Sequence, residues 1–289
     1  MKFTRKISVP PFTFEVSTDI AQVATNIDMI YNQGHGHKNN HVDYFLSINS
    51  SSGLRQFFRK QARFFVDQQE PFQPLELQQA YAMLEWGMNW CVASNEMQYL
   101  IIHSAVLAKD DKAIIFPAPP GSGKSTLTTY LAFNGWRLLS DEMALIVPYT
   151  KLVKPFVRPI CLKNRSISLA KEWFPNGRFS SIARDTHKGD VIHLAPPQGS
   201  WEGASRIAKI VGIVFPQYTP NVQLEIYNLN QTQAFMQLAQ NAFNFGVIGK
   251  DGFDTLTDII EEVPAFELRY NNLEKVSEFL QQDILSDAT

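Results

Sequence analysis

The spacing of apolar residues over the first part of the chain predicts a mixed helical and extended region. Apolar residues between Ile20 and Tyr31 fall on one face of a helix, and Phe45–Ile48 has the character of a short strand. Residues 75–94 predict a longer helix that is apolar on all sides, which is typical of a helix buried against more than one neighbour. We therefore expect residues 1–97 to form a separate N-terminal α+β region.

From Tyr99 onward the pattern changes to that of paired strands. Tyr99–Ala108 and Ala113–Phe116 are apolar runs on either side of the polar turn Lys109–Lys112, which predicts a hairpin. A helix follows and ends near Asn134–Gly135, after which Arg137–Leu139 begins another strand.

The rest of the chain continues this alternation of strands and helices. Strands are predicted at Met143–Val147, Val153–Leu162, Val191–Leu194, Ile210–Phe215, Val222–Tyr227 and Phe266–Tyr270, and helices at 231–243, 253–262 and 272–284. The polar segment Lys163–Gly189 is predicted to be irregular. Residues 98–289 are thus expected to form an α/β domain.

Composition and charge exclude several classes of protein. A net charge of -2 gives no general attraction to nucleic acid or to an anionic membrane. No apolar run reaches membrane-spanning length, and the basic start of the chain is followed by Pro10 and Pro11, not by the apolar core of a signal peptide. Cys91 and Cys161 have neither metal nor redox spacing and are expected to be reduced thiols. We expect a cytoplasmic protein that binds neither nucleic acid nor membrane.

Three further polar features are interpreted as structural. Gly34–His41 contains three histidines that could bind a metal ion, but its glycines and asparagines equally describe a solvated loop, and we favour the loop. Glu85 and Asn244 are polar residues in apolar surroundings, and both are expected to make structural hydrogen bonds.

The strongest chemical signal is the glycine-rich stretch between the hairpin and the following helix. Pro120, Gly121, Ser122, Gly123, Lys124, Ser125 and Thr126 give the arrangement of a strand end, a turn and a helix start. Backbone N–H groups of such a turn, together with the positive end of the helix, bind a polyphosphate. Lys124 would contact the β- and γ-phosphates of ATP, and the Ser125 hydroxyl would be a ligand of Mg²⁺. Ala118 stands where the full Walker pattern has glycine.

A pair of acidic residues follows the next strand. In α/β sheets ligands bind at the carboxyl ends of the strands, so Asp141 and Glu142 are expected beside the glycine-rich stretch. Carboxylates in that position hold the Mg²⁺ that bridges the terminal phosphates, or accept the proton of an attacking hydroxyl group. Two adjacent acids can divide these roles, and the pattern is one of phosphoryl transfer.

These motifs resemble those of a known family. The order and spacing of His103–Val106, Pro120–Thr126 and Gly135–Glu142 resemble HPr kinase/phosphorylase. The likeness to the HPr-kinase-related "kinase A" family is greater and spans roughly residues 75–280. It rests on Glu85–Trp90, Pro117–Leu127, Arg158–Asn164 and Thr186–Gly189.

The resemblance implies a fold and a set of roles. The fold is the compact phosphate-loop core, with a mixed sheet, of HPr kinases and phosphoenolpyruvate carboxykinases. Asp141 is then the base towards a substrate hydroxyl, Glu142 lies near the metal with Ser125, and His103 lies beside Asp141 and tunes its protonation. A core histidine with a structural hydrogen bond is the competing interpretation of His103.

Three cations complete the expected site. Arg158, Lys163 and Lys188 are expected to neutralise transition-state charge, with ordinary surface cations as the alternative. The chain departs from HPr kinase/phosphorylase in two places: Arg158–Ile160 replaces a glycine-rich signature, and residues 1–97 do not resemble that family's N-terminal domain. HPr as the substrate and the reverse dephosphorylation are therefore not carried over. The hexamers of that family leave a homo-oligomer open.

Two functions remain open from the sequence. The first is an ATP-dependent kinase that transfers the γ-phosphoryl group to a hydroxyl group of a peptide, protein or small molecule. The second is a nucleotide-binding regulatory or assembly module with slow ATP hydrolysis. The acid pair and the strand of His103 favour the first. A carboxykinase acting on a dicarboxylic acid is a weaker third option.

Overall fold

The structure, a computed structural model, describes residues 3–32, 41–51 and 60–286. The strands are β1 Phe3–Val9, β2 Phe12–Thr18, β3 Tyr44–Ser50, β4 Gln61–Val66, β5 Leu75–Glu76, β6 Leu100–Lys109, β7 Lys112–Pro117, β8 Arg137–Ser140, β9 Met143–Ile146, β10 Leu152–Lys154, β11 Ile160–Lys163, β12 Ala183–Thr186, β13 Gly189–Leu194, β14 Ala208–Tyr218, β15 Leu224–Asn228 and β16 Ala265–Tyr270.

The helices lie between these strands and near the end of the chain. They are α1 Ala21–Ile30, α2 Ala80–Asn95, α3 Lys124–Phe133, α4 Arg165–Trp173, α5 Gln198–Glu202, α6 Gln231–Asn241, α7 Phe245–Ile248, α8 Lys250–Glu262 and α9 Leu273–Phe279. A 3-10 turn, Leu77–Gln79, precedes α2, and a π-helical turn, Leu280–Leu285, follows α9. The chain is therefore of the mixed α/β class. Among the described helices, none combines the length and the apolar character needed to span a bilayer.

The chain divides into two compact units, and neither is continuous in sequence. The first unit contains Met1–Asn95 and Pro159–Trp201, and the second contains Glu96–Arg158 and Glu202–Thr289. The predicted division after residue 97 is close to the first change of unit. It differs over residues 159–201, which pack with the N-terminal residues.

The first unit contains two sheets and is built around apolar strand faces. One sheet has the order β1-β2-β3-β4-β5, in which β2 and β3 are parallel and are joined through α1, and the other has the order β11-β13-β12. Phe14, Val16 and Ile48 are fully buried in the first sheet, as alternating strand positions require. The expected structural role of Glu85 is confirmed, because the Tyr31 hydroxyl lies 3.0 Å from both of its carboxylate oxygens.

The second unit contains one large mixed sheet. Its strand order is β10-β9-β6-β7-β14-β16-β15, with β8 also paired to β6 and β10 also paired to β14. Strands β7, β14 and β16 are parallel neighbours, whereas β6 is antiparallel to β7, β8 and β9. The apolar core includes residues of β6, β7, β14, α6 and α8. The parallel strands direct the ends of β7, β14 and β16 to one edge of the sheet.

Asn244 connects the start of this sheet to the chain between α6 and α7. Its side-chain oxygen accepts from the backbone N–H of Ile101 at 3.0 Å, and its amide donates to the carbonyls of Tyr99 (2.8 Å) and Glu96 (3.2 Å). The structural role expected from the sequence is confirmed.

Three predicted elements are wrong in their bounds. The helix predicted over residues 75–94 begins at Ala80, because Leu75–Glu76 form β5 and Leu77–Gln79 a 3-10 turn. The predicted strand Val153–Leu162 is two short strands, β10 and β11, in different sheets. Pro155 and Pro159 lie between them and lack the N–H group that a continuous ladder needs. The segment Lys163–Gly189, predicted to be irregular, contains α4 and β12; Ile167 and Ala170 form the buried face of α4. The histidine-containing stretch Gly34–His41 lies, apart from His41, outside the described residues.

Candidate functional site

The candidate site begins with the loop between β7 and α3, residues 118–123, which we call the glycine loop. Gly121 and Gly123 have φ angles of 88° and 90°, in the left-handed region where a Cβ atom is unfavourable. Within the loop, the Ser122 N–H donates to the carbonyl of Pro119 at 3.3 Å. Gly123 directly precedes the first residue of α3, and the Lys124 N–H lies 3.4 Å from the Ser122 hydroxyl oxygen, so the first helical turn adjoins the loop.

The first two residues of α3 both contact Asp141, the first residue of the acid pair. The Lys124 Nζ atom donates to the backbone carbonyl of Asp141 at 3.0 Å, and the Ser125 hydroxyl lies 3.3 Å from the Asp141 Oδ2 atom. Lys124 is only 9% exposed and Asp141 only 3% exposed. A buried ammonium group and a buried carboxylate are therefore held beside the glycine loop.

The acid pair interrupts what would otherwise be one strand. Strands β8 and β9 pair with successive parts of β6, and Asp141 and Glu142 form the link between them. The Glu142 carbonyl accepts from the Ser104 N–H at 3.2 Å, and Ser104 lies opposite Pro117, the last residue of β7. The acid pair thus lies level with the point where the glycine loop begins. Glu142 is partly exposed, unlike its neighbour.

Arg137 fixes the strand that leads to the acids. Its guanidinium group donates to the carbonyls of Gly203 (3.2 Å), Arg206 (2.6 Å) and Asp110 (3.1 Å). Burial lowers the pKa of Arg137, with the neighbouring Arg206 charge acting in the same direction. These bonds tie the start of β8 to two separate turns.

For His103 and Arg158, the described side-chain contacts are with aromatic rings. His103, on β6, lies opposite Met143, and its ring contacts Phe243 with centroids 5.6 Å apart. Its expected interaction with Asp141 stays a prediction. Arg158 is buried in the second unit, with its guanidinium carbon 5.4 Å from the centroid of the Phe156 ring.

The two lysines belong to the first unit. Lys163 ends β11, and its backbone N–H donates to the Ser166 hydroxyl at 2.8 Å. The exposed Lys188 ammonium lies 5.6 Å from the centroid of the Trp86 ring. The described contacts therefore bring together Lys124, Ser125 and Asp141.

Sequence reasoning missed two tyrosines that border the glycine loop. The Tyr218 N–H donates to the Ser122 carbonyl at 2.8 Å, and the Tyr270 hydroxyl lies 3.4 Å from the Gly123 carbonyl. Burial raises the pKa of the Tyr270 hydroxyl above its ordinary value. Both residues end strands parallel to β7, so the rule that ligands bind at carboxyl ends of strands was a usable signal.

No protein-family model matches the chain, and no curated protein matches it.

The donor groups at the site suit Mg²⁺ and a polyphosphate. Among residues 3–32, 41–51 and 60–286, no three or more His, Cys, Asp or Glu side chains are grouped to hold a metal ion. Mg²⁺ at a phosphate site is commonly bound through one or two carboxylates, with phosphate and water oxygens as the other ligands. The Ser125 hydroxyl and the carboxylates of Asp141 and Glu142 are oxygen ligands of this kind. The glycine loop, α3 and Lys124 supply the positive groups that a polyphosphate requires.

Proposed function

We propose that the chain is an ATP-dependent phosphotransferase, which transfers the γ-phosphoryl group to a hydroxyl group of a peptide, protein or small molecule. The observation that supports this most is the contact of Lys124 and Ser125 with Asp141. A lysine and a serine that directly follow a glycine loop bind phosphate and Mg²⁺ in nucleotide sites. Here they lie against a carboxylate that can accept a proton.

We also propose that the second unit has the phosphate-loop core of HPr kinases and phosphoenolpyruvate carboxykinases. The proposal depends on the resemblance of the sequence motifs. It is supported by the mixed sheet, in which β6, the strand of His103, has three partners. They are β7, which precedes the glycine loop, and β8 and β9, which flank the acid pair. The cytoplasmic location expected from the sequence belongs to the same proposal.

The binding step uses the glycine loop and the start of α3. Backbone N–H groups of Gly121, of Gly123 and of the first turn of α3 are proposed to bind the β- and γ-phosphates, with favourable electrostatics at the helix N-terminus. The Lys124 ammonium exchanges its bond with the Asp141 carbonyl for a bond with phosphate oxygen. Ser125 and Glu142 would hold Mg²⁺, which neutralises charge on the terminal phosphates when bound.

The transfer step uses Asp141 as the base. Its carboxylate accepts the proton of the acceptor hydroxyl as that oxygen bonds to the γ-phosphorus, and the bond from the γ-phosphorus to the β,γ-bridging oxygen breaks to release ADP. Arg158 is proposed to stabilise the charge on the transferred group. The products are the phosphorylated acceptor, ADP and one proton held by the enzyme.

The first experiment follows labelled phosphate. The full chain is incubated with Mg²⁺ and γ-labelled ATP, with and without a lysate of the cells in which the protein naturally occurs, and the label is traced. We expect label in a discrete peptide, protein or metabolite, and loss of that label in Lys124→Ala. Label found only in slowly released phosphate, unchanged by lysate, would instead support a nucleotide-dependent binding module.

A second experiment tests the base. Asp141→Asn is expected to slow transfer by about a hundredfold or more while ATP still binds. Asp258→Asn, which changes an exposed acid on α8, is the matched control and should leave transfer unchanged. Transfer by Asp141→Asn at the wild-type rate would exclude Asp141 as the base.

The roles of the two acids are separated by varying Mg²⁺. Ser125 lies against Asp141, and Glu142 is the next residue in the chain, so either carboxylate is a candidate ligand of a metal held by Ser125. If Glu142 is the metal ligand, Glu142→Gln raises the Mg²⁺ concentration needed for half-maximal transfer, and Asp141→Asn lowers the maximal rate. The opposite pattern would exchange the two assignments.

A further inference from the structure

Tyr218 is placed directly against the glycine loop. It is the last residue of β14, which is parallel to β7 and pairs with it. The Tyr218 N–H donates to the Ser122 carbonyl at 2.8 Å, and a Cβ atom built on Gly123 would lie 2.9 Å from the Tyr218 Cβ atom. The tyrosine side chain therefore leaves the backbone next to the last residue of the loop.

The ring is exposed although its backbone is fixed. Tyr218 is 45% exposed, whereas Tyr270, which it contacts edge-on with ring centroids 6.2 Å apart, is 1% exposed. The next residue, Thr219, donates its N–H to the Tyr270 carbonyl at 2.8 Å. The chain is thus bonded to the loop on one side and to β16 on the other. An aromatic surface held in this way loses little conformational entropy on binding a ligand.

The strand order gives the direction of a bound nucleotide. β7 lies between β6 and β14 in the sheet. β6 pairs with β8 and β9, the strands on either side of the acid pair, whereas β14 ends at Tyr218. A nucleoside triphosphate with its γ-phosphate towards Asp141 has its base at the opposite end of the polyphosphate chain. That end is expected on the β14 side of the glycine loop, where the Tyr218 ring is exposed.

We propose that Tyr218 is the stacking surface for the nucleobase of the bound nucleoside triphosphate. This inference rests on the proposed function, because it requires a nucleotide at the glycine loop. Aromatic rings bind any base through its π face, and the two-ring purines offer the larger area. The ligand class is therefore a purine nucleoside triphosphate, with discrimination against pyrimidines and with little preference between ATP and GTP from stacking alone.

The test compares three ligands on three proteins. Binding of ATP, CTP and inorganic tripolyphosphate is measured by calorimetry for wild type, Tyr218→Ala and Tyr218→Phe. We expect Tyr218→Ala to bind ATP about tenfold more weakly, and Tyr218→Phe, which keeps the ring, to bind ATP within about twofold of wild type. Wild type should prefer ATP to CTP, and Tyr218→Ala should lose most of that preference. Tripolyphosphate, which has no base, should bind all three proteins equally.

Failure of this inference is distinguishable from failure of the proposed function. ATP binding that is lost in Lys124→Ala but unchanged in Tyr218→Ala would overturn the stacking role and leave the nucleotide site standing. A parallel loss of ATP and tripolyphosphate binding in Tyr218→Ala would assign Tyr218 to loop geometry and also overturn stacking. A wild-type protein that binds neither ATP nor tripolyphosphate would overturn both proposals.

Discussion

Gly121 and Gly123 form a matched pair for testing how the glycine loop is constrained. Both have φ angles near 90°, but their surroundings differ. A Cβ atom on Gly121 meets nothing within 4 Å, whereas one on Gly123 would lie 2.9 Å from the Tyr218 Cβ atom and 3.0 Å from the Tyr270 hydroxyl oxygen. Replacing each by alanine therefore adds the same conformational strain and a very different steric cost.

The expected magnitudes follow from these surroundings. Left-handed backbone costs a residue with a side chain about 1–2 kcal/mol, of which about 0.4–1 kcal/mol is offset by reduced entropy of the unfolded chain. Gly121→Ala should thus lower the free energy of unfolding by about 1 kcal/mol. Overpacking adds about 1–3 kcal/mol, so Gly123→Ala should cost about 2–4 kcal/mol. The Tyr218 Cβ atom is attached to hydrogen-bonded backbone and cannot move away by side-chain rotation.

The measurement is urea unfolding of both variants, with Tyr270→Phe and the Gly123→Ala/Tyr270→Phe double variant. Removal of the Tyr270 hydroxyl relieves one of the two close contacts, so the double variant should lose less stability than the sum of its single changes. Equal destabilisation by Gly121→Ala and Gly123→Ala, or an additive double variant, would refute the reasoning.

Two other predictions concern buried polar groups in the second unit. Asn244→Leu removes the hydrogen-bond partner of the Ile101 N–H and of the Tyr99 and Glu96 carbonyls. It should lower the free energy of unfolding, measured in urea, by about 3–5 kcal/mol. A loss below about 1 kcal/mol would contradict the hydrogen-bond assignment. Because burial raises the pKa of Tyr270, the folded chain keeps a proton that the unfolded chain loses above about pH 10, so the stability from this group is present below that pH and then falls by about 1.4 kcal/mol per pH unit. The comparison is wild type with Tyr270→Phe between pH 9 and 11, and an identical slope in both would exclude the effect.

Local signals in the sequence were sufficient to predict those elements of the site that follow one another closely along the chain. The hairpin β6–β7, the helix after the glycine loop and the strand β8 were all expected, because each has a clear apolar period and turn residues at its ends. The contact of Lys124 with Asp141 follows from the same information, since both residues lie at the carboxyl edge of one sheet.

The neighbours that come from distant parts of the chain were not predicted. Nothing in the apolar pattern of β14 or β16 specifies that β14 pairs in parallel with β7 and β16 with β14. From the sequence, Tyr218 and Tyr270 are therefore only the last residues of two strands, with no predicted place beside the glycine loop. The contact of the His103 ring with Phe243 was also not predicted, and the expected place of His103 beside Asp141 stays a prediction. Pairing partners are selected by burial of whole sheet faces, and that selection has no local signature.

Residues 159–201 illustrate the same limit at the scale of a domain. The segment follows β10 without a linker rich in glycine or serine, and its sequence gave no reason to separate it from the second unit. Its apolar residues Cys161, Ala183 and Val191 pack with Ala82 and Trp86 of α2 in the first unit. A periodic pattern indicates which face of a strand is buried, but not which helix covers it.

The path of the chain between the units limits how the protein can be dissected. It changes unit at residues 95–96, 158–159 and 201–202, so a fragment beginning at Glu96 would carry residues 159–201 without the helix that covers them. Cys161, Ala183 and Val191, which are buried in the whole chain, would become exposed in such a fragment and favour its aggregation. A version of the second unit therefore has to omit residues 159–201 and rejoin the chain between Arg158 and Glu202, and a version of the first unit has to omit residues 96–158.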